Sequence, residues 1–136
     1  MSGAFYVLWR QGVRVITWYL MRDEAEGMSW GSTLQSGIFL RGDTAGADRP
    51  KLSFTAFRFP FTAYLPKRDS GADIWGLAPR SGAVIVERRV SGGWRRVARF
   101  TAGSGRVFTG RALARRGEAM RARQAGEASL TWSVVR

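Results

Sequence analysis

From residue 60 onward the chain runs through seven short β-like stretches, and few folds accept that pattern. They are Phe61–Leu65, Ala72–Leu77, Ala83–Val90, Trp94–Thr101, Arg106–Arg111, Glu118–Gln124 and Ser129–Val135. Between them lie turn signals such as Asp69-Ser70-Gly71, Pro79-Arg80-Ser81-Gly82, Ser91-Gly92-Gly93, Gly103-Ser104-Gly105, Arg115-Arg116-Gly117 and Ala125-Gly126. Glycine reaches the positive φ that tight turns require without steric cost. Strands recurring at about ten-residue spacing predict an immunoglobulin-like β-sandwich. In the last stretch Leu130, Trp132 and Val134 alternate with Thr131, Ser133 and Val135, the period of a strand with one buried face. Ser91-Gly92-Gly93 ahead of Trp94 predicts a hairpin followed by an aromatic anchor.

Residues 1–59 follow a different rhythm. Ala4–Gln11 suits the last turns of a helix, with Gly12 at the position past its end that favours glycine. Val13–Tyr19 is a β-branched run ending in two aromatics and predicts a buried strand, covered on both faces. Residues 20–49 predict a long loop carrying Asp23, Glu24, Glu26, Trp30 and Gln35. Within it Arg41-Gly42-Asp43 reads as a turn. Pro50-Lys51 is expected to open a helix, because proline is best tolerated at a first helical turn. The period changes at Pro60, which sets the expected boundary between a partial α/β segment (1–59) and the sandwich (60–136).

Composition narrows the chemistry. The chain of 136 residues has neither cysteine nor histidine. This excludes disulfides, thiolate nucleophiles, Ser-His pairs and nearly all zinc sites, so no metal or cofactor is expected. The net charge is +12, and 20 of the 22 basic residues are arginine. It is uneven: residues 1–59 carry 7 basic and 5 acidic groups, residues 60–136 carry 15 and 5. A domain so basic attracts polyanions, although an arginine-heavy composition also follows from GC-rich coding. Arg88, Arg89, Arg95, Arg96, Arg99, Arg106, Arg111, Arg121 and Arg123 mostly alternate with apolar residues, and many are expected on one exposed face. Arg10, Arg14 and Arg22 interrupt the N-terminal apolar region, so no membrane span is expected. No signal peptide is visible, which leaves the chain as given cytoplasmic.

Two sets of phrases carry a resemblance. Trp18 at the tip of Val13–Tyr19, then Ser36-Gly37-Ile38-Phe39, then Pro50-Lys51-Leu52-Ser53 resemble the last strand, loop and helix of an actinobacterial, cellulase-like clan A glycoside hydrolase. Leu52 stands where that family's phrase has a second proline. Residues 60–136, with Trp75-Gly76, Pro79-Arg80-Ser81-Gly82 and Gly92-Gly93-Trp94, resemble the small sandwich appended to the same enzymes.

The resemblance implies the eighth strand and helix of a TIM barrel, which is complete only at about 250 residues. It also implies a secreted parent enzyme whose two catalytic carboxylates lie on other strands, so no catalytic residue is expected in this chain. Trp18, Tyr19 and Trp30 become candidates for stacking on sugar, with Arg22 and Asp23 as polar candidates in the loop. Trp75, Trp94 and Trp132 are expected in the sandwich core, a carbohydrate-stacking platform being the alternative. Expected partners are polysaccharide or the remainder of a barrel, weak polyanion binding, and self-association through the unpartnered strand Val13–Tyr19. The competing reading is a basic nucleic-acid or polyanion-binding β module.

Overall fold

The structure, a computed structural model, describes residues 1–25, 35–66 and 71–136. The chain is mainly β. Its elements in order are α1 (Ser2–Arg10), β1 (Phe39–Leu40), β2 (Arg49–Pro50), α2 (Leu52–Arg58), β3 (Phe61–Tyr64), β4 (Gly71–Leu77) and β5 (Gly82–Val90). There follow β6 (Gly93–Ala102), β7 (Val107–Leu113), β8 (Ala119–Gln124), β9 (Glu127–Ala128) and β10 (Trp132–Ser133). The described residues form three antiparallel sheets: β1-β2, β3-β4-β7, and β10-β8-β5-β6 with β9 on β8. The seven β-like stretches all carry strand, the seventh only the two residues of β10, while β9 precedes it in the expected turn region.

The two larger sheets share one core. Phe61, Ala63, Ala72, Ile74, Phe108 and Ala112 from one face Val84, Val86, Met120, Ala122 and Val134 from the other. Phe100 and Phe108 stack across the gap at 5.8 Å. Each ring lies on a glycine: a Cβ on Gly76 would stand 2.3 Å from Phe108 Cζ, and one on Gly110 would stand 2.3 Å from Phe100 Cε1. The aromatic layer therefore requires those two positions to be bare. The sheets are also stitched at one side, where the Trp132 indole N–H donates to the Ala63 carbonyl at 2.9 Å and Leu65 N–H donates to Val135 at 2.7 Å.

Turn chemistry meets expectation. Val90 pairs with Gly93 across Ser91-Gly92, with Gly92 at φ +87°. Gln124 pairs with Glu127 across Ala125 (φ +46°) and Gly126 (φ +85°), two successive left-handed residues that match the twist of a hairpin.

The N-terminal segment lies on the outer face of β3-β4-β7. Tyr6 of α1 stacks on Tyr64 at 4.8 Å, Trp9 meets Trp75 at 5.9 Å, and Phe5 meets Phe57 of α2 edge-on at 5.7 Å. The helix ends where predicted: Gly12 takes φ +84°, Gly12 N–H returns to Trp9 and Val13 N–H to Leu8. Arg58 fixes α2 to the sandwich by a two-pronged bond to Glu127, at 2.7 and 2.9 Å, and Arg80 joins the same carboxylate at 2.9 Å.

Three expectations need correcting. Val13–Tyr19 forms no strand; Val15 is 77% and Tyr19 91% exposed. A strand needs a neighbour for its backbone groups, and no described segment pairs with this one, so no strand edge is present there for self-association. Pro50 does not begin the helix: it pairs with Phe39 in β2, and Lys51 is the cap residue before α2. The three sandwich tryptophans do not share one core. Trp75 is buried beneath α1, Trp132 packs at the core's margin, and Trp94 lies under arginines on the far face.

Two measurements follow. Gly110→Ala drives a methyl into the Phe100 ring and is expected to cost roughly 1–3 kcal/mol in denaturant unfolding. Bonding to Arg58, with Arg80 adding to it, lowers the Glu127 carboxyl from 4.5 to about 2. Its stabilisation is therefore full above the unfolded value of 4.5 and disappears as pH falls toward 2. Glu127→Gln should flatten that acid limb and cost about 1 kcal/mol at neutral pH.

Candidate functional site

The sequence-predicted site lies in a knot built from three strips of backbone, Met21–Asp23, Ile38–Leu40 and Arg49–Lys51. Ile38 and Phe39 N–H donate to Met21, Asp23 N–H donates to Phe39, and Lys51 N–H donates to Ile38, at 2.9–3.0 Å. The Ile38 side chain is buried at the centre, and Phe39 packs on Phe54 of α2 at 4.8 Å. Apolar burial at Ile38 and Phe39 thus holds together a segment that is otherwise polar.

Two ion pairs close the knot. Asp23, 3% exposed, accepts from Lys51 Nζ at 2.6 Å and from Gly37 N–H at 3.0 Å. Asp48 accepts from Gly42 N–H at 2.8 Å and from Arg22 Nη2 at 2.7 Å. The Gly42 amide, aided by the Arg22 guanidinium and opposed by partial burial, holds the Asp48 carboxyl below its ordinary range. Gly37 and Gly42 are needed for close approach, since a Cβ would sit 2.5 Å from the Arg22 carbonyl carbon or 2.6 Å from that of Ala47.

Against this frame each candidate has a definite place. Trp18 is half-buried; its indole N–H donates to Ser36 at 3.1 Å and its ring meets Phe57 edge-on at 6.4 Å. Tyr19 projects into solvent. Trp30 falls outside the described residues. Arg22 and Asp23 are engaged within the knot, and their observed bonds are structural. An open polar recess of about 470 Å³ lies alongside, lined among others by Asp23, Glu24, Gln35, Arg41, Asp43 and Arg49. Trp18, Tyr19 and Arg22 do not line it, so the candidates do not converge on a single pocket. An apolar recess of about 260 Å³ separates α1 from the sheet, with Trp9, Trp75 and Phe57 on its walls.

The mixed charges of the polar recess suit hydrogen bonding to a polyhydroxylated ligand. Sequence reasoning missed Lys51, which supplies the countercharge to Asp23 across 28 residues; no local pattern announces such a pair. The sequence was compared with family models, curated proteins and solved structures, and no match was found. No described helix is long and apolar enough to cross a membrane.

Lys51→Met leaves a buried carboxylate uncompensated and should lower stability by roughly 3–5 kcal/mol. Adding Asp23→Asn to that variant should recover part of the loss. The check is a double-mutant cycle by thermal unfolding.

Proposed function

We propose that this chain is the C-terminal end of a clan A glycoside hydrolase and acts as a non-catalytic accessory module, its immunoglobulin-like sandwich carrying a sugar-facing aromatic segment. The observation that carries the reading is the consecutive pair Trp18 and Tyr19: the first is pinned by Ser36 and Phe57, the second is 91% exposed. An amphipathic ring displayed in this way suits the apolar face of a sugar.

Three further features support it. The strand orders β3-β4-β7 and β10-β8-β5-β6 of the two larger sheets support the immunoglobulin-like reading. Val7, Leu8, Val13, Val15 and Met21 are exposed on one segment, an apolar surface that the walls of a barrel would cover. Asp23 is bound to Lys51, which fits an accessory role better than acid–base chemistry.

The test is retention on insoluble cellulose, xylan and mannan at high salt, where charge attraction is screened. Wild type should be retained on at least one polymer without releasing reducing sugar. Trp18→Ala with Tyr19→Ala should abolish retention while the unfolding midpoint stays within a few degrees. Equal retention of the double variant, or no retention on any of the three, sinks this reading.

A further inference from the structure

The outer face of the β8-β5-β6 sheet gathers arginines around a single carboxylate. Register fixes which side chains share it. Ile85 stands between Arg99 and Arg123, Glu87 between Arg96 and Arg121, and Arg89 opposite Trp94. Val84 and Val86 point the other way, into the core. A bulge between Val86 and Glu87 is decisive: it leaves Val97 unpaired, so that Arg96 and Arg99, three residues apart, come to the same face. Arg88 and Arg95 fall on the opposite side, and Arg88 pairs there with Glu118 at 3.1 Å.

Charge on this face is far from balanced. Glu87 lies 2.8 Å from Arg121 and 3.7 Å from Arg123. Arg89, Arg96 and Arg99 are exposed and have no ion pair with any described carboxylate. Trp94 carries the Arg121 guanidinium at 4.1 Å and that of Arg89 at 5.5 Å from its ring centre, which holds both on the surface of the sheet. The result is two arginine columns, Arg96 with Arg99 and Arg121 with Arg123, separated by the strand that bears Ile85 and Glu87. Columns two strands apart stand about 10 Å from each other.

We propose that this face binds linear carboxylated polysaccharides lying between the two arginine columns. Guanidinium forks grip carboxylates two-pronged, and the spare donors of Arg96 and Arg99 are available for it. Single-stranded nucleic acid would call for an open aromatic ring on which bases can stack. The aromatic of this face, Trp94, already carries guanidiniums, and a flat sheet face does not enter a duplex groove. Only the choice of a sugar polymer rests on the glycosidase-module reading; the arginine columns stand without it.

The experiment measures binding of the full chain to polygalacturonate by calorimetry at low salt, with methyl-esterified polygalacturonate and oligo-dT as comparison probes. Polygalacturonate should bind, its methyl ester should not, and oligo-dT should bind more weakly. Arg96→Glu with Arg99→Glu should weaken binding about tenfold or more. Arg115→Glu with Arg116→Glu, an equal charge change at the β7–β8 turn, should leave it nearly unaltered. As a check independent of mutant folding, polygalacturonate should shield Arg96 and Arg99 of the wild-type protein from phenylglyoxal, read by mass spectrometry. Equal losses in the two double variants, no shielding, or tighter binding of oligo-dT would overturn the proposal. Loss of neutral-polymer retention with polygalacturonate binding intact would remove the aromatic-segment reading alone.

Discussion

The seat of the first helix on the sandwich depends on covering one indole. Trp75 sits on β4 with its side chain turned away from the core between the sheets, and leaving it in water would forfeit the burial of one of the largest side chains in the chain. Helix α1 provides the cover. Tyr6 and Trp9 close over Trp75, Tyr6 stacks on Tyr64, and Tyr64 meets Trp132 edge-on. The same stack that buries Trp75 reaches β10, so one run of aromatic rings joins the first helix to the last strand. A sandwich with one covered and one charged face is the outcome.

The knot formed by residues 21–25 and 35–51 solves a different problem. Its backbone contains little regular structure, so its polar groups must be satisfied individually. Asp23 and Asp48 each draw together a main-chain amide and a cationic side chain, and Ile38 supplies the dry centre. Carboxylates that a reader of the sequence would suspect of chemistry are here part of the framework. Of the four ion-paired residues, Asp23 also lines the recess beside them.

The strands were legible because their signals are local: a glycine in each turn and alternation between the turns. The helix end at Gly12 was legible for the same reason. Val13–Tyr19 was misread because β-branched composition reports a fitness for burial, and burial depends on neighbours that composition cannot supply. The partnership of Asp23 with Lys51 and that of Arg58 with Glu127, 69 residues apart, are products of the tertiary fold. That strand arginines share an exposed face was legible; that Arg96 and Arg99 both belong to it while Arg88 and Arg95 do not was not. Plain alternation assigns residues three apart to opposite faces, and the bulge at Val97, opposite the Val86–Glu87 step, reverses this.

Among the described residues strand β6 pairs with β5 on one side and closes the order of its sheet, so a row of backbone donors and acceptors is left at its margin. Such margins recruit other chains unless something repels them. Here the repulsion comes from Arg95, Arg96 and Arg99 on the strand itself. Any polyanion or high salt that neutralises these arginines also lowers the guard on the strand edge.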